Sequence, residues 1–287
     1  MTGFKETTVS SWTELRDVLE HLSTAGWAFR GQADTNWPLE TSLTRYLKTF
    51  SHAQDDWLAR ERKMLLTFQR KAHLLLSRTP EAGETLEWLA LMQHHGAPTR
   101  LLDFTWSPYV AAFFALERAT TDAAIWAISA GPAVKNLRGF AISDTLNRIF
   151  KLDRGQTNTR RRPSKFDDRG MSKSALKRLA QDGRIPPAVM GEPVLMNQRM
   201  TTQAGTFVIP LMQIDSPIEA FLPPASIFKV NLKTKKVRRP TMDRLYNMNI
   251  NNATLFPGID GLARSLAFEL EFQWTVDTTV AERLASR

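Results

Sequence analysis

Apolar residues recur at helical spacing early in the chain. Trp12, Leu15, Val18, Leu19 and Leu22 fall on one face, Ser10 or Ser11 is placed to cap that helix, and Gly26 to stop it. Trp27-Ala28-Phe29-Arg30 is short, apolar and aromatic, and predicts a buried strand ending in a cation. Gly31 to Pro38 is polar and reads as a loop. Residues 55–77 predict a long helix, because Trp57, Met64, Leu65, Phe68 and Leu74 to Leu76 share one broad face. A second helix runs from Glu84 to about His95, closed by Gly96 and Pro98. Ser107-Pro108 is a strong helix start, a capping serine followed by proline at the first helical position. The segment Tyr109 to Ala119 that follows is apolar on nearly every face, so it is expected inside the protein. Ala123 to Ser129, Gly205 to Leu211 and Ser226 to Leu232 predict strands. The fold expected from these elements is α+β, a central, partly antiparallel sheet flanked by helices.

Residues 151–185 break this pattern. They hold Arg160-Arg161-Arg162, Lys165, Arg169, Lys173, Lys177, Arg178 and Arg184. The first half has little periodicity, and Ser172 to Asp182 suits a short basic helix ended by Gly183. The segment reads as a basic insertion or linker, either a phosphate-contacting element or a solvated loop. The chain of 287 residues is long enough to bury a full core, as two lobes or as one domain with insertions. Its formal net charge of +9 favours polyanions, and Lys229 to Arg239 is a second basic run beside Arg160 to Arg184.

The absence of cysteine excludes disulfides, thiolate catalysis and cysteine metal sites, and fits a cytoplasmic protein. Met1-Thr2-Gly3-Phe4-Lys5 lacks the apolar core of a signal peptide, and no apolar run approaches the roughly 20 residues that span a bilayer, so no membrane partner is expected. His94 and His95 are adjacent, so on a helix they point about 100° apart and cannot clamp one metal. No metal site is expected. Neither a Walker-type phosphate loop nor a dinucleotide fingerprint occurs.

What remains is a cluster of polar residues in apolar surroundings. Arg30 offers a planar fork of donors, and Gly31 beside it allows close approach of a phosphate or carboxylate. The alternative is a structural ion pair between Arg30 and a carboxylate such as Asp103. The run from Gln93 to Pro108 packs polar and turn residues between two apolar helices, and the helix start at Ser107-Pro108 presents free N–H groups to an anion. The alternative there is a buried turn, with Asp103 paired to Arg100 and Thr105 capping.

These residues resemble the FRG domain family, named for its Phe-Arg-Gly motif, here Phe29-Arg30-Gly31. The resemblance continues through Trp37-Pro38-Leu39, Ser42-Leu43-Thr44-Arg45, Gln93 to Thr105, Pro108 and Ala111 to Ala115. It reappears at Arg199 with Gln203-Ala204-Gly205-Thr206-Phe207, and at Leu255 to Ala263. It implies one domain over residues 1–287, with 151–185 inserted, and a bacterial or phage-associated module tied to defence or toxin loci.

A second resemblance, to ADP-ribosyltransferases of the arginine–serine–glutamate type, implies a transferase-like core and a mechanism. Arg30 looks like the arginine that holds the NAD phosphates, and Thr105 and Ser107 like the Ser/Thr element at the nicotinamide pocket. NAD would be the substrate, with Gly31, Gln32, Gln93, His94, Thr99 and Arg100 completing its binding set and Asp103 among the catalytic residues. Gln203 stands where the family has its glutamate. A neutral amide stabilises positive charge on a departing sugar poorly, so Asp103, Glu192 or Asp260 would have to supply the acid. The implied function is a toxin or antiphage-defence effector acting on a nucleic-acid or protein acceptor, with an antitoxin or defence protein as partner. The alternatives are a nucleic-acid-binding or -processing protein and a non-catalytic nucleotide sensor or interaction module.

Overall fold

The computed structural model describes residues 3–23, 26–50, 56–131, 134–150, 152, 186–211 and 215–272. Apart from residue 152, the basic segment 151–185 lies outside the described residues. Eight strands form one sheet: β1 (Lys5–Val9), β2 (Trp27–Gln32), β3 (Leu102–Thr105), β4 (Ala123–Ser129), β5 (Val134–Asn136), β6 (Ala188–Gly191), β7 (Gly205–Pro210) and β8 (Ile227–Leu232). Their order is β1-β8-β4-β2-β3-β7-β6-β5. The outermost pairs, β1–β8 and β6–β5, are parallel, and every pair between them is antiparallel. With its flanking helices this is an α+β fold.

The helices are α1 (Trp12–Ser23), α2 (Ser42–Thr49), α3 (Trp57–Ala72), α4 (Thr85–His94), α5 (Pro108–Leu116), α6 (Gly139–Phe150), α7 (Gln198–Thr202), α8 (Thr234–Asn247), α9 (Asn252–Leu255) and α10 (Ile259–Phe272). Strand alternation sorts the core onto two faces. On one face Phe29, Ile125, Ala127, Val230 and Leu232 lie under α1, α5, α8 and α9. Further along the same face, Val189, Phe207 and Ile209 lie under α3, α4 and α6. The opposite face carries Ala28, Leu102, Phe104, Trp126, Ile128 and Val208, covered by Leu39 and Leu222 from irregular chain and by Ile218 from a short 3-10 turn. The two helix groups part over β3. There Asp103 is exposed, although its strand is an interior one.

The local signals explain most of these elements. Ser11 Oγ accepts from Glu14 N–H at 3.2 Å, while the Glu14 carboxylate accepts from Ser10 N–H at 2.8 Å, so the start of α1 is capped from both sides. Gly26, at φ +69°, follows α1 and leads into β2. The apolar helix α5 is buried as its composition requires. Two expectations are corrected. β2 extends through Gly31 and Gln32, which had read as loop, because both pair with β4, opposite Ile125 and Ala124. α3 stops at Ala72, and Leu74 and Leu75 beyond it are 73% and 86% exposed rather than on its buried face.

Gly31 sets the distance between β2 and α5. A Cβ there would stand 2.1 Å from the Ala111 carbonyl oxygen and 2.4 Å from the Ala115 amide nitrogen. Both obstacles are helix backbone, which cannot turn aside as a side chain can. The variant Gly31→Ala is expected to lose about 3 kcal/mol of stability through this overlap. Urea unfolding followed by circular dichroism checks it; an unchanged midpoint would show that α5 does not rest on this position.

Candidate functional site

β2 and β3 meet at a single ladder pair, Phe29 with Thr105. The next residue, Arg30, pairs across β2–β4 with Trp126 and so starts from the opposite face. Its guanidinium reaches into the seam between β2 and β3, where Nη1 donates to the Asp103 main-chain oxygen at 2.7 Å. A side chain thus takes a carbonyl that a continuing ladder would have used. Arg30 Nε is buried and has no hydrogen-bond partner, as is the Thr206 hydroxyl oxygen on the same face. Among the described residues Arg30 joins no ion pair. Burial pulls its pKa below the ordinary guanidinium value; the Asp103 charge opposes this and the Arg45 charge adds to it. An arginine stays protonated under such perturbation, so Arg30 is a half-buried cation held by one neutral oxygen.

The alternative of an ion pair between Arg30 and Asp103 is not what forms: Arg30 takes the backbone of Asp103, not its carboxylate. That carboxylate is exposed on the helix-bearing face and accepts from Gln93 Nε2 at 2.7 Å. Gln93 is fixed at its other end, where its Oε1 accepts from the Thr99 hydroxyl. Thr99 is buried and in turn anchored to α2, its N–H donating to Ser42 Oγ at 3.0 Å and its carbonyl accepting from Leu43 N–H at 3.1 Å. His94, beside Gln93, is exposed. Partial burial, His95 and the Arg199 charge lower its pKa, which keeps the imidazole neutral at neutral pH.

Arg100 does not pair with Asp103, and it is not placed to bind a ligand. It is fully buried against Glu61, itself fully buried. Its Nε donates to Glu61 Oε1 at 2.7 Å and its Nη2 donates to Glu61 Oε2. Nη1 donates to the carbonyls of Leu211 at 2.9 Å and Pro210 at 3.2 Å, and the guanidinium lies 4.8 Å from the Phe150 ring centre. This fork is consumed by the fold.

Thr105, Ser107 and Gln203 are likewise engaged with the protein. The Thr105 hydroxyl donates to the Gln203 carbonyl at 2.7 Å and accepts from Ser107 N–H at 3.0 Å. Ser107, rather than Thr105, caps α5 by accepting from Val110 N–H at 3.3 Å. Gln203 Nε2 donates to the Leu255 carbonyl at 2.9 Å. These bonds tie the β3–α5 turn to the α7–β7 turn. Arg30 and Thr105 start from opposite faces, so they do not confront one another across a pocket. Gly31 is filled by α5. The buried Gln32 accepts from Trp126 Nε1 at 2.8 Å and donates to the Pro38 carbonyl at 3.2 Å. Glu192 accepts from Trp106 Nε1 at 2.8 Å, and Asp260 lies in the first turn of α10.

Of the residues singled out in the sequence, the structure links Arg30 to the main chain of Asp103 and Gln93 to its carboxylate, with His94 next to Gln93 at the end of α4. Sequence reasoning passed over Arg45 and Arg199 as site residues, although both stand in the motifs that carry the family resemblance. The basic run Lys229–Arg239 is not one cationic patch. Lys229 is half-buried, donating to the Thr35 carbonyl at 2.7 Å, Lys233 pairs with Asp122 at 2.7 Å, and Arg238 binds Glu271. Lys235, Lys236 and Arg239 remain exposed. Two surface cavities, of about 300 and 620 Å³, lie away from Arg30, one beside Lys229 and one between α3 and α4. Among the described residues no group of three or more acidic or histidine side chains is arranged to hold a metal, and no helix is long and apolar enough to cross a membrane.

The Arg100–Glu61 pair carries a stability prediction. Removing one partner strands a buried charge, so Glu61→Leu and Arg100→Leu are each expected to cost about 3–5 kcal/mol. The double variant is expected to lose far less than the sum of the two. Denaturant unfolding of all four proteins tests this, and additive losses would show that the pair is not coupled.

Residues 25–124 match the FRG domain family. The matched interval contains Arg30, Arg45, Gln93, His94 and Asp103, and it holds β2, β3 and the start of β4; the other strands of the sheet lie outside it. No curated protein and no solved structure matches the chain.

Proposed function

We propose, from the match of residues 25–124 to the FRG domain family, that the chain binds a phosphate-bearing nucleotide through Arg30, with NAD as the ligand. The observation that carries this reading is the state of Arg30: a half-buried guanidinium with one neutral partner and a buried, unpartnered Nε. Withdrawing a cation from water costs several kcal/mol unless an anion or several acceptors replace the water. A phosphate oxygen pair matches the donor fork and supplies what the protein does not.

Asp103 is the exposed carboxylate closest in the fold to that phosphate site: its main-chain oxygen holds Arg30, and its side chain leaves from the helix-bearing face. It is exposed on an interior strand and oriented by Gln93. In ADP-ribosyl transfer the bond between the ribose and nicotinamide breaks, nicotinamide departs with the electron pair, and the acceptor nucleophile bonds to the same ribose carbon while losing its proton. A fixed carboxylate stabilises the positive charge that develops on the ribose. In this reading Asp103 takes the place of the glutamate that Gln203 does not supply, and the cellular role is that of a toxin or antiphage-defence effector. A second reading, a non-catalytic nucleotide sensor, is favoured by the commitment of Thr105 and Gln203 to backbone partners.

Calorimetry with NAD and label transfer from NAD to cell protein and nucleic acid separate these readings. Arg30→Ala is expected to weaken NAD binding about 10- to 100-fold, the worth of charge-assisted bonds, in a protein that still folds cooperatively. Asp103→Asn is expected to keep the binding and lose the transfer. Absence of binding by the unaltered protein would refute the nucleotide site, whereas binding without NAD consumption would leave sensing as its function.

A further inference from the structure

Two arginines outside the matched interval share one aromatic ring. The guanidinium carbon of Arg199, in α7, lies 4.9 Å from the centre of the Phe256 ring, and that of Arg264, in α10, lies 4.6 Å from it. Both arginines are exposed. Neither forms an ion pair or donates a side-chain hydrogen bond to another described residue. Phe256 is only 9% exposed and meets Phe114 of α5 edge-on at 6.0 Å. The ring therefore serves as a pedestal for the two cations rather than as a contact surface of its own.

The backbone fixes this arrangement at both ends. A Cβ on Gly261 would stand 1.8 Å from the Phe256 carbonyl oxygen and 2.9 Å from that of Asn252, so α10 is pressed onto the chain that bears Phe256. Arg264 follows three residues later, nearly one helical turn, on the same side as Gly261. A Cβ on Gly205 would stand 3.2 Å from the Met200 carbonyl, so α7 abuts β7 and holds Arg199. The Arg199 charge depresses the pKa of His94, the last residue of α4. Gly205, against which α7 rests, pairs with Thr105, so the backbone that carries Arg199 is tied to β3 on the helix-bearing face.

We infer that Arg199 and Arg264 form a binding site for the phosphodiester backbone of single-stranded nucleic acid. Among the described residues nothing takes up either hydrogen-bonding edge, and a fork of this shape matches a phosphate. Two such forks set against one ring suit successive phosphates better than a single anion. The planar groups also offer faces on which unpaired bases stack, which a duplex cannot present. Pre-organisation on Phe256 removes the entropy that two free arginines would lose on binding. The net charge of +9 draws a polyanion toward the surface. Nothing in this site requires NAD, so it stands apart from the reading given to Arg30.

The test is fluorescence anisotropy of the full chain with short labelled oligo(U) and oligo(dT), without NAD, over a range of salt. Arg199→Gln with Arg264→Gln is expected to weaken binding at least about tenfold and to reduce the salt slope by about 1.4, the share of two phosphate contacts on a single strand. Lysine at both positions is expected to keep the slope and lose part of the affinity, because it retains charge without the stack. Arg30→Ala is expected to keep oligonucleotide binding even where it abolishes NAD binding. Circular dichroism melting confirms that each variant is folded. Unchanged affinity in the folded double variant overturns the inference. So does equal binding of polyglutamate, or tighter binding of a duplex of the same length.

Discussion

The placement of the site depends on one fully buried ion pair. Arg100 enters the core between α3, β7 and α6, where Glu61 and two carbonyls take its donors and Phe150 lies under its plane. A pair so deeply withdrawn from water contributes less to net stability than to specificity, because both charges forgo hydration. Its consequence is positional. With Arg100 locked, the neighbouring Thr99 is held against Ser42 and Leu43 of α2 and under Gln93 of α4. Gln93 then has one free end, and it reaches Asp103. The register that sets Asp103 also sets the carbonyl that meets Arg30. An interaction remote from solvent thus determines what the solvent-facing residues can do.

The sheet supplies the second constraint. Helices bury both halves of one face and bury Thr105 of β3, yet leave Asp103 of the same strand open, so an interior strand bears an exposed carboxylate. β2 and β3 share only one ladder pair, and Arg30 enters where further pairing would have continued. Interior strands in a covered sheet normally satisfy their carbonyls with one another. Here a costly cation does so in place of an amide. Departures of this kind from local rules concentrate at sites that serve a ligand rather than the fold.

Much of the fold was legible in the sequence because its signals are local. The Ser11 cap, the Ser107-Pro108 start and the apolar runs of β4, β7 and β8 act through neighbouring residues. β3 was not legible: four residues, Leu102 to Thr105, sit among turn residues and become a strand only through pairing with β7. The site was half legible. Arg30 beside Gly31 was recognisable from residue type and motif. The division of labour among Asp103, Arg100, Thr105 and Ser107 was not, because it depends on a glutamate 39 positions before Arg100 and a carbonyl 98 positions beyond Thr105. The composition of Lys229–Arg239 likewise suggested one surface patch, whereas β8 and α8 direct its cations toward different partners.

The cations of this protein therefore fall into two physical classes, and the distinction bears on function more directly than net charge. Arg100, Lys233 and Arg238 have carboxylate partners within the chain. Among the described residues Arg30, Arg199 and Arg264 have none, and each is held by something other than a counter-charge: a carbonyl for Arg30, an aromatic ring for the other two. Holding a cation rigid without neutralising it is unfavourable for the isolated protein and favourable for any complex in which an anion arrives. Arg30 is half-buried and narrowly framed, which suits a compact phosphate; Arg199 and Arg264 are open and paired, which suits a chain of them. The donors that would meet a compact phosphate at Arg30 and those that would meet a polymeric anion at Arg199 and Arg264 belong to different elements, so the two proposed ligands would not compete for the same groups.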